Sequence, residues 1–124
     1  MVVMKLKELT ESELQNVIEP CSEAPGVWRP VGGRPAVLDF YVPWCKPCQA
    51  LGPFLEEVAD EYAGRVDFYT VNIDKERRVA VRFKVRHVPA MAFLPLEGSC
   101  RLEIGAMTKA AMREALDKLL YGNR

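Results

Sequence analysis

Apolar positions along the chain gather into short runs and helical stripes. The densest run is Ala36 to Val42, apolar apart from Asp39 and bounded by Pro35 and Pro43. A short, nearly continuous run of branched and aromatic residues predicts a strand covered on both faces. After it, Leu51, Phe54, Leu55, Val58, Ala59 and Tyr62 keep the i, i+3, i+4, i+7 spacing of an amphipathic helix. That helix starts at or just after Cys45 and Cys48 and runs to about Tyr62, with Gly64 placed to end it and Pro53 inside it to kink it.

The flanking segments complete the pattern. Lys5 to Leu9 reads as a short first strand. Thr10-Glu11-Ser12-Glu13 is a capping-box sequence, with Leu9 and Leu14 at the staple positions. Leu14, Val17 and Ile18 then give a helical face, and Pro20 ends or kinks that helix. Residues 20–35 hold Pro20, Pro25, Pro30 and Pro35 with Gly26, Gly32 and Gly33, the chemistry of a long loop. Either Val27 and Trp28 anchor it to the core or it is a surface excursion. Val66 to Ile73 reads as a strand, and Asp74 as the cap of a helix through about Phe83. Ala90 to Leu94 and Ser99 to Ile104 read as strands joined at Glu97-Gly98. Thr108 caps a last helix with Met112, Ala115, Leu116, Leu119 and Leu120 on one face. The order β-α-β-α-β-α-β-β-α predicts one α/β domain over 1–124, a mixed central sheet with helices on both faces.

Composition narrows the classes of function. Lys plus Arg equal Asp plus Glu at 17 each, which argues against nucleic-acid and acidic-membrane partners. No apolar run approaches the roughly 20 residues that span a bilayer. Met1 to Thr10 carries Lys5, Lys7 and Glu8 and lacks an apolar core of a secretory signal, so the expected setting is the reducing cytoplasm.

Cys45 and Cys48 carry the chemistry. Thiol–disulfide exchange needs a nucleophilic thiolate and a second thiol to resolve the mixed disulfide. Cys-x-x-Cys at a helix start supplies both: Cys45 exposed and facing the helix dipole, Cys48 one turn in and more buried. Pro47 suits the first turn, where a missing N–H costs nothing. Half of a metal site is the competing reading, but Cys21, Cys100 and His87 are single residues, so neither metal nor cofactor is expected. Asp39, if buried in its strand, has a raised pKa and can take the proton from Cys48; if Val37, Asp39 and Tyr41 form a solvent face, it is merely exposed. Cys100 reads as a core thiol beside Leu102 and Ile104, Cys21 as an incidental free thiol, and His87 as a loop histidine without a role.

Trp44-Cys45-Lys46-Pro47-Cys48 resembles the active-site motif of the thioredoxin family. The resemblance extends from about Arg34 to the last helix: Val37-Leu38-Asp39-Phe40, Pro53, Val71-Asn72-Ile73-Asp74, Val88-Pro89, Gly98 and Gly105-Ala106 follow in the family's order. It implies a thioredoxin fold and a dithiol–disulfide oxidoreductase. It further implies Cys45 as nucleophile, Cys48 as resolving thiol and Asp39 as buried proton acceptor. Trp44, Lys46, Pro47, Val88, Pro89, Gly105 and Ala106 would form the substrate surface, with a cis bond between Val88 and Pro89. The implied partners are disulfide-containing proteins and a reductase that regenerates the dithiol. Departures are Lys46 for a glycine, Tyr41 for a tryptophan, Thr70 for a lysine near the aspartate, Ala90 for a threonine and the long 20–35 loop. A disulfide oxidase or isomerase, and a binding module that needs no redox turnover, are the alternatives to a reductase.

Overall fold

A computed structural model of the protein describes residues 6–20 and 28–122. Cys21 and Val27 lie outside them. Among the described residues, β1 (Lys7–Glu8), β4 (Ala36–Tyr41), β5 (Asp67–Asn72), β6 (Ala90–Leu94) and β7 (Arg101–Ile104) form one sheet. The strand order is β1-β5-β4-β6-β7. The β1–β5 and β4–β5 pairs are parallel, and the β4–β6 and β6–β7 pairs antiparallel. The sheet is therefore mixed, with β4 at its centre. The centre is buried because helices cover both faces.

Alternation along β4 sorts the core. Ala36, Leu38 and Phe40 pack with Leu14 of α1 (Glu11–Leu14) and with Val79, Ala80 and Phe83 in and beside α3 (Arg77–Arg82). Val37 points to the other face, among Leu51, Leu55 and Val58 of α2 (Lys46–Glu61) and Met112 and Leu116 of α4 (Lys109–Tyr121). Period-two alternation puts Asp39 and Tyr41 on the α2 side with Val37.

Several elements match the sequence reading. The Thr10–Glu13 capping box is present in both directions, and Thr108 caps α4 through the N–H of Ala111 at 3.1 Å. Pro53 lies inside a helix that continues to Glu61, and Gly64 at φ +83° takes the chain out of it.

Others differ. The first helix stops at Leu14, and Ile18–Pro20 is a strand, β2, paired antiparallel with β3 (Trp28–Pro30). Leu14, Val17 and Ile18 satisfy a helical stripe and a short strand equally well, and the pairing partner, β3, lies inside the 20–35 segment that reads as a loop. Trp28 anchors that segment by stacking on Phe83 with ring centroids 5.3 Å apart. Asp74 does not cap α3; Glu76 stands at the N-cap and makes no side-chain cap. In the last hairpin Cys100 and Leu102 are half-buried, but Ile104 is 59% exposed, so Cys100 borders the core rather than lying in it.

Candidate active site

The dithiol sits where β4 feeds into α2. Cys45 is the N-cap of α2, and its Sγ accepts from the N–H of Cys48 at 3.2 Å. Pro47 occupies the first turn, where no N–H is missed. The turn is held by Cys45 N–H donating to the Val42 carbonyl at 3.2 Å and by Gln49 Nε2 donating to the Pro43 carbonyl at 2.7 Å. A negative charge on Cys45 would face the free N–H groups and the positive end of a 16-residue helix. Both cysteines are free and buried, against Val42, Tyr41, Ile73 and Val88. The expected exposure of Cys45 is thus not found; it is buried in one cluster with Val42 and Cys48, against which Tyr41, Ile73 and Val88 pack.

Position, not exposure, distinguishes the two thiols. Cys48 lines a cavity of about 290 Å³ that also contains Asp39, Tyr41, Glu8, Glu56 and Thr70, and Cys45 does not line it. Asp39 is 6% exposed, and its Oδ1 has no hydrogen-bond partner. Burial pushes its pKa up to about 7. The buried reading of Asp39 therefore holds over the solvent-face reading. Thr70 stands opposite Asp39 in the β4–β5 register, so no cation occupies that position to offset the burial. Burial likewise pushes the Cys48 thiol up to about 12, and its hydrogen bond to Cys45 adds to the rise. Tyr41 Oη donates to Glu8 Oε1 at the side of this cavity.

Two loops complete the surroundings. The Val88–Pro89 peptide bond is cis, and Val88 packs beside the dithiol. The Pro89 carbonyl accepts from the Gly105 N–H at 2.8 Å, tying the two loops together, and Ala106 follows on the exposed side. Gly105 has φ +96°, a conformation open to glycine. Trp44 is 74% exposed, and its indole N–H donates to Asp74 Oδ2 at 2.9 Å. Asp74 thus orients the tryptophan instead of capping a helix. Lys46, Pro47 and His87 are exposed. The sequence reading missed Glu8, Glu56 and Asp74, because their approach to Asp39 and Trp44 is made by strand pairing and helix docking rather than by spacing. Among the described residues, no three His, Cys, Asp or Glu side chains converge as a metal site requires.

The family model for thioredoxin matches residues 31–118. The chain belongs to the thioredoxin family. It is 34% identical over 89 residues to a thioredoxin of Borreliella burgdorferi, covering 72% of this chain and 76% of that one. It is 34% identical over 86 residues to the chloroplastic M-type thioredoxin of Pisum sativum, covering 69% of this chain and 50% of that longer one. Thioredoxin 1 of Nostoc sp. is 30% identical over 86 residues, with 69% and 80% covered. The crystal structure of chloroplastic thioredoxin z superposes with a TM-score of 0.77 over 96% of this chain and 97% of that one at 21% identity, which supports the fold. The activity of this thioredoxin is thiol–disulfide exchange that reduces protein disulfides. No helix among its described residues is long and apolar enough to cross a membrane.

Proposed function

We propose that Cys45 is the nucleophile of this reductase, Cys48 the resolving thiol and Asp39 the proton acceptor, all within one domain. The observation that carries the reading is the cavity shared by Asp39 and Cys48 behind a Cys45 that caps α2. Cys45 thiolate attacks one sulfur of a substrate disulfide, forms a mixed disulfide and releases the other sulfur as a thiolate. Cys48 then loses its proton to Asp39 and attacks Cys45 Sγ. The second substrate sulfur leaves and is protonated, and two electrons have passed from the dithiol to the substrate. While Cys45 is a free thiolate, its hydrogen bond and charge add to burial in holding the Cys48 proton in place. Once Cys45 is tied up in the mixed disulfide both effects end, which eases loss of the Cys48 proton, while burial, the largest cause of its raised pKa, persists. The resolving step is thereby switched on by the first step.

Trp44, Lys46, Pro47, Val88, Gly105 and Ala106 form the surface on which the substrate segment lies, with buried Pro89 beneath it. The partners are disulfide-containing proteins and a dithiol-regenerating reductase, and no nucleic acid or membrane enters the reaction. The working compartment is a reducing one, the cytoplasm or, as the names of the M-type relatives indicate for those proteins, a plastid. The test is insulin-disulfide reduction. Cys45→Ser abolishes it, and Cys48→Ser accumulates a mixed disulfide on Cys45 that mass spectrometry detects. Turnover by the Cys45→Ser protein would refute the assignment.

A further inference from the structure

A basic segment begins and ends at the dithiol. Of the 17 Lys and Arg residues in the chain, six lie between residues 75 and 87: Lys75, Arg77, Arg78, Arg82, Lys84 and Arg86. Glu76 is the one acid in that span. The neutral total of the whole chain conceals this local excess. All six cations are exposed. Of these six, Arg78 is the one with an ion pair to another described residue, Glu11 Oε1 at 3.7 Å. On α3, Val79 and Ala80 turn to the core, while Arg77, Arg78, Val81 and Arg82 share the outer arc of about 140°. Val81 is 75% exposed among those arginines.

The ends of the segment are fixed to the site. Lys75 follows Asp74, which holds the Trp44 indole. Arg86 and His87 precede Val88, which packs on Cys45 and Cys48. Two residues of chain span at most about 7 Å, so the two ends of the segment, at Lys75 and Arg86, lie near the dithiol, and the outer arc of α3 continues from them.

We infer that this segment is an electrostatic docking face for acidic protein partners, selecting disulfides flanked by Asp and Glu. The inference rests on the dithiol reading above. Four of the six cations are arginines, whose planar forks pair two-pronged with carboxylates. Exposed Val81 adds an apolar contact of the kind protein interfaces bury.

The test uses two synthetic peptides with one internal disulfide, flanked either by four glutamates or by four glutamines. Single-turnover reduction by the reduced protein is followed by chromatography. At about 0.01 M salt the acidic peptide is expected to react at least about tenfold faster than the neutral one. At about 1 M salt, where the screening length is about 3 Å, the two rates converge. Arg77→Glu/Arg82→Glu/Arg86→Glu removes the preference and leaves the rate on the neutral peptide unchanged, which also shows that the variant is folded. Equal rates on both peptides at low salt overturn the inference and leave the dithiol reading intact. Reduction of neither peptide overturns both. Equal peptide rates, together with a fluorescent single-stranded oligonucleotide bound by the protein and released by the triple variant, reassign the face to phosphate and overturn it as well.

Discussion

Asp39 links its buried protonation to stability. Its carboxyl is buried without a partner for Oδ1, and its pKa lies near 7 instead of 3.8. Between about pH 4 and 7 the folded protein holds a proton that the unfolded chain has released, so this group makes stability fall as pH rises through that window. Above the window the burden is up to about 4 kcal/mol. Asp39→Asn removes the charge and is expected to raise the urea midpoint above wild type at about pH 8, with little difference at about pH 4. It is also expected to prolong the life of the mixed disulfide at Cys45. An unfolding difference that stays flat between those pH values would contradict the raised pKa. The candidacy of Asp39 was legible because a carboxylate in an apolar run is costly. Its burial was decided by α2, which lies over that face of β4.

Helices α2 and α4 show which contacts hold an element in place. Leu116 is fully buried among Val37, Leu55 and Phe93, so Leu116→Ala is expected to cost about 2–5 kcal/mol. Arg113 grips Glu61 with two hydrogen bonds of 2.9 and 2.7 Å, yet the pair faces solvent. Arg113→Ala is expected to leave the midpoint near wild type, because water replaces most of what an exposed pair provides. Equal losses in urea unfolding for the two substitutions would overturn this ranking. Stripe-based readings worked for α2 and α4 because each spans several turns. They failed at Val17–Ile18, where two apolar residues suit either period and the antiparallel partner Trp28–Pro30 is remote in sequence.

The whole molecule brings four separated segments to one place: residues 44–48, Asp74, the Val88–Pro89 loop and Gly105. The last two are joined by the Gly105–Pro89 hydrogen bond. A Cβ on Gly105 would meet nothing within 4 Å, so the cost of Gly105→Ala is conformational. At φ +96° that cost is expected to be about 1–3 kcal/mol. Unfolding measurements check this, and insulin reduction is expected to slow because the loop beside the sulfurs shifts; wild-type stability in the variant would refute the argument. Local chemistry in the sequence was enough to determine the strand–turn–helix carrying Cys45 and Cys48, the helix caps at Thr10 and Thr108 though not the one at Asp74, and the order of motifs, since propensity, capping and periodicity act over a few residues. Only the tertiary structure decided that Cys45 is buried in a cluster beside Val88, that Cys48 and Asp39 share a cavity with Glu8 and Glu56, and that Asp74 holds Trp44. These contacts depend on which strands pair and how α2 docks, and they join residues far apart in sequence, as with Trp44 and Asp74, 30 positions apart. Burial and pairing are properties of the assembled molecule, which a local pattern restricts but does not specify.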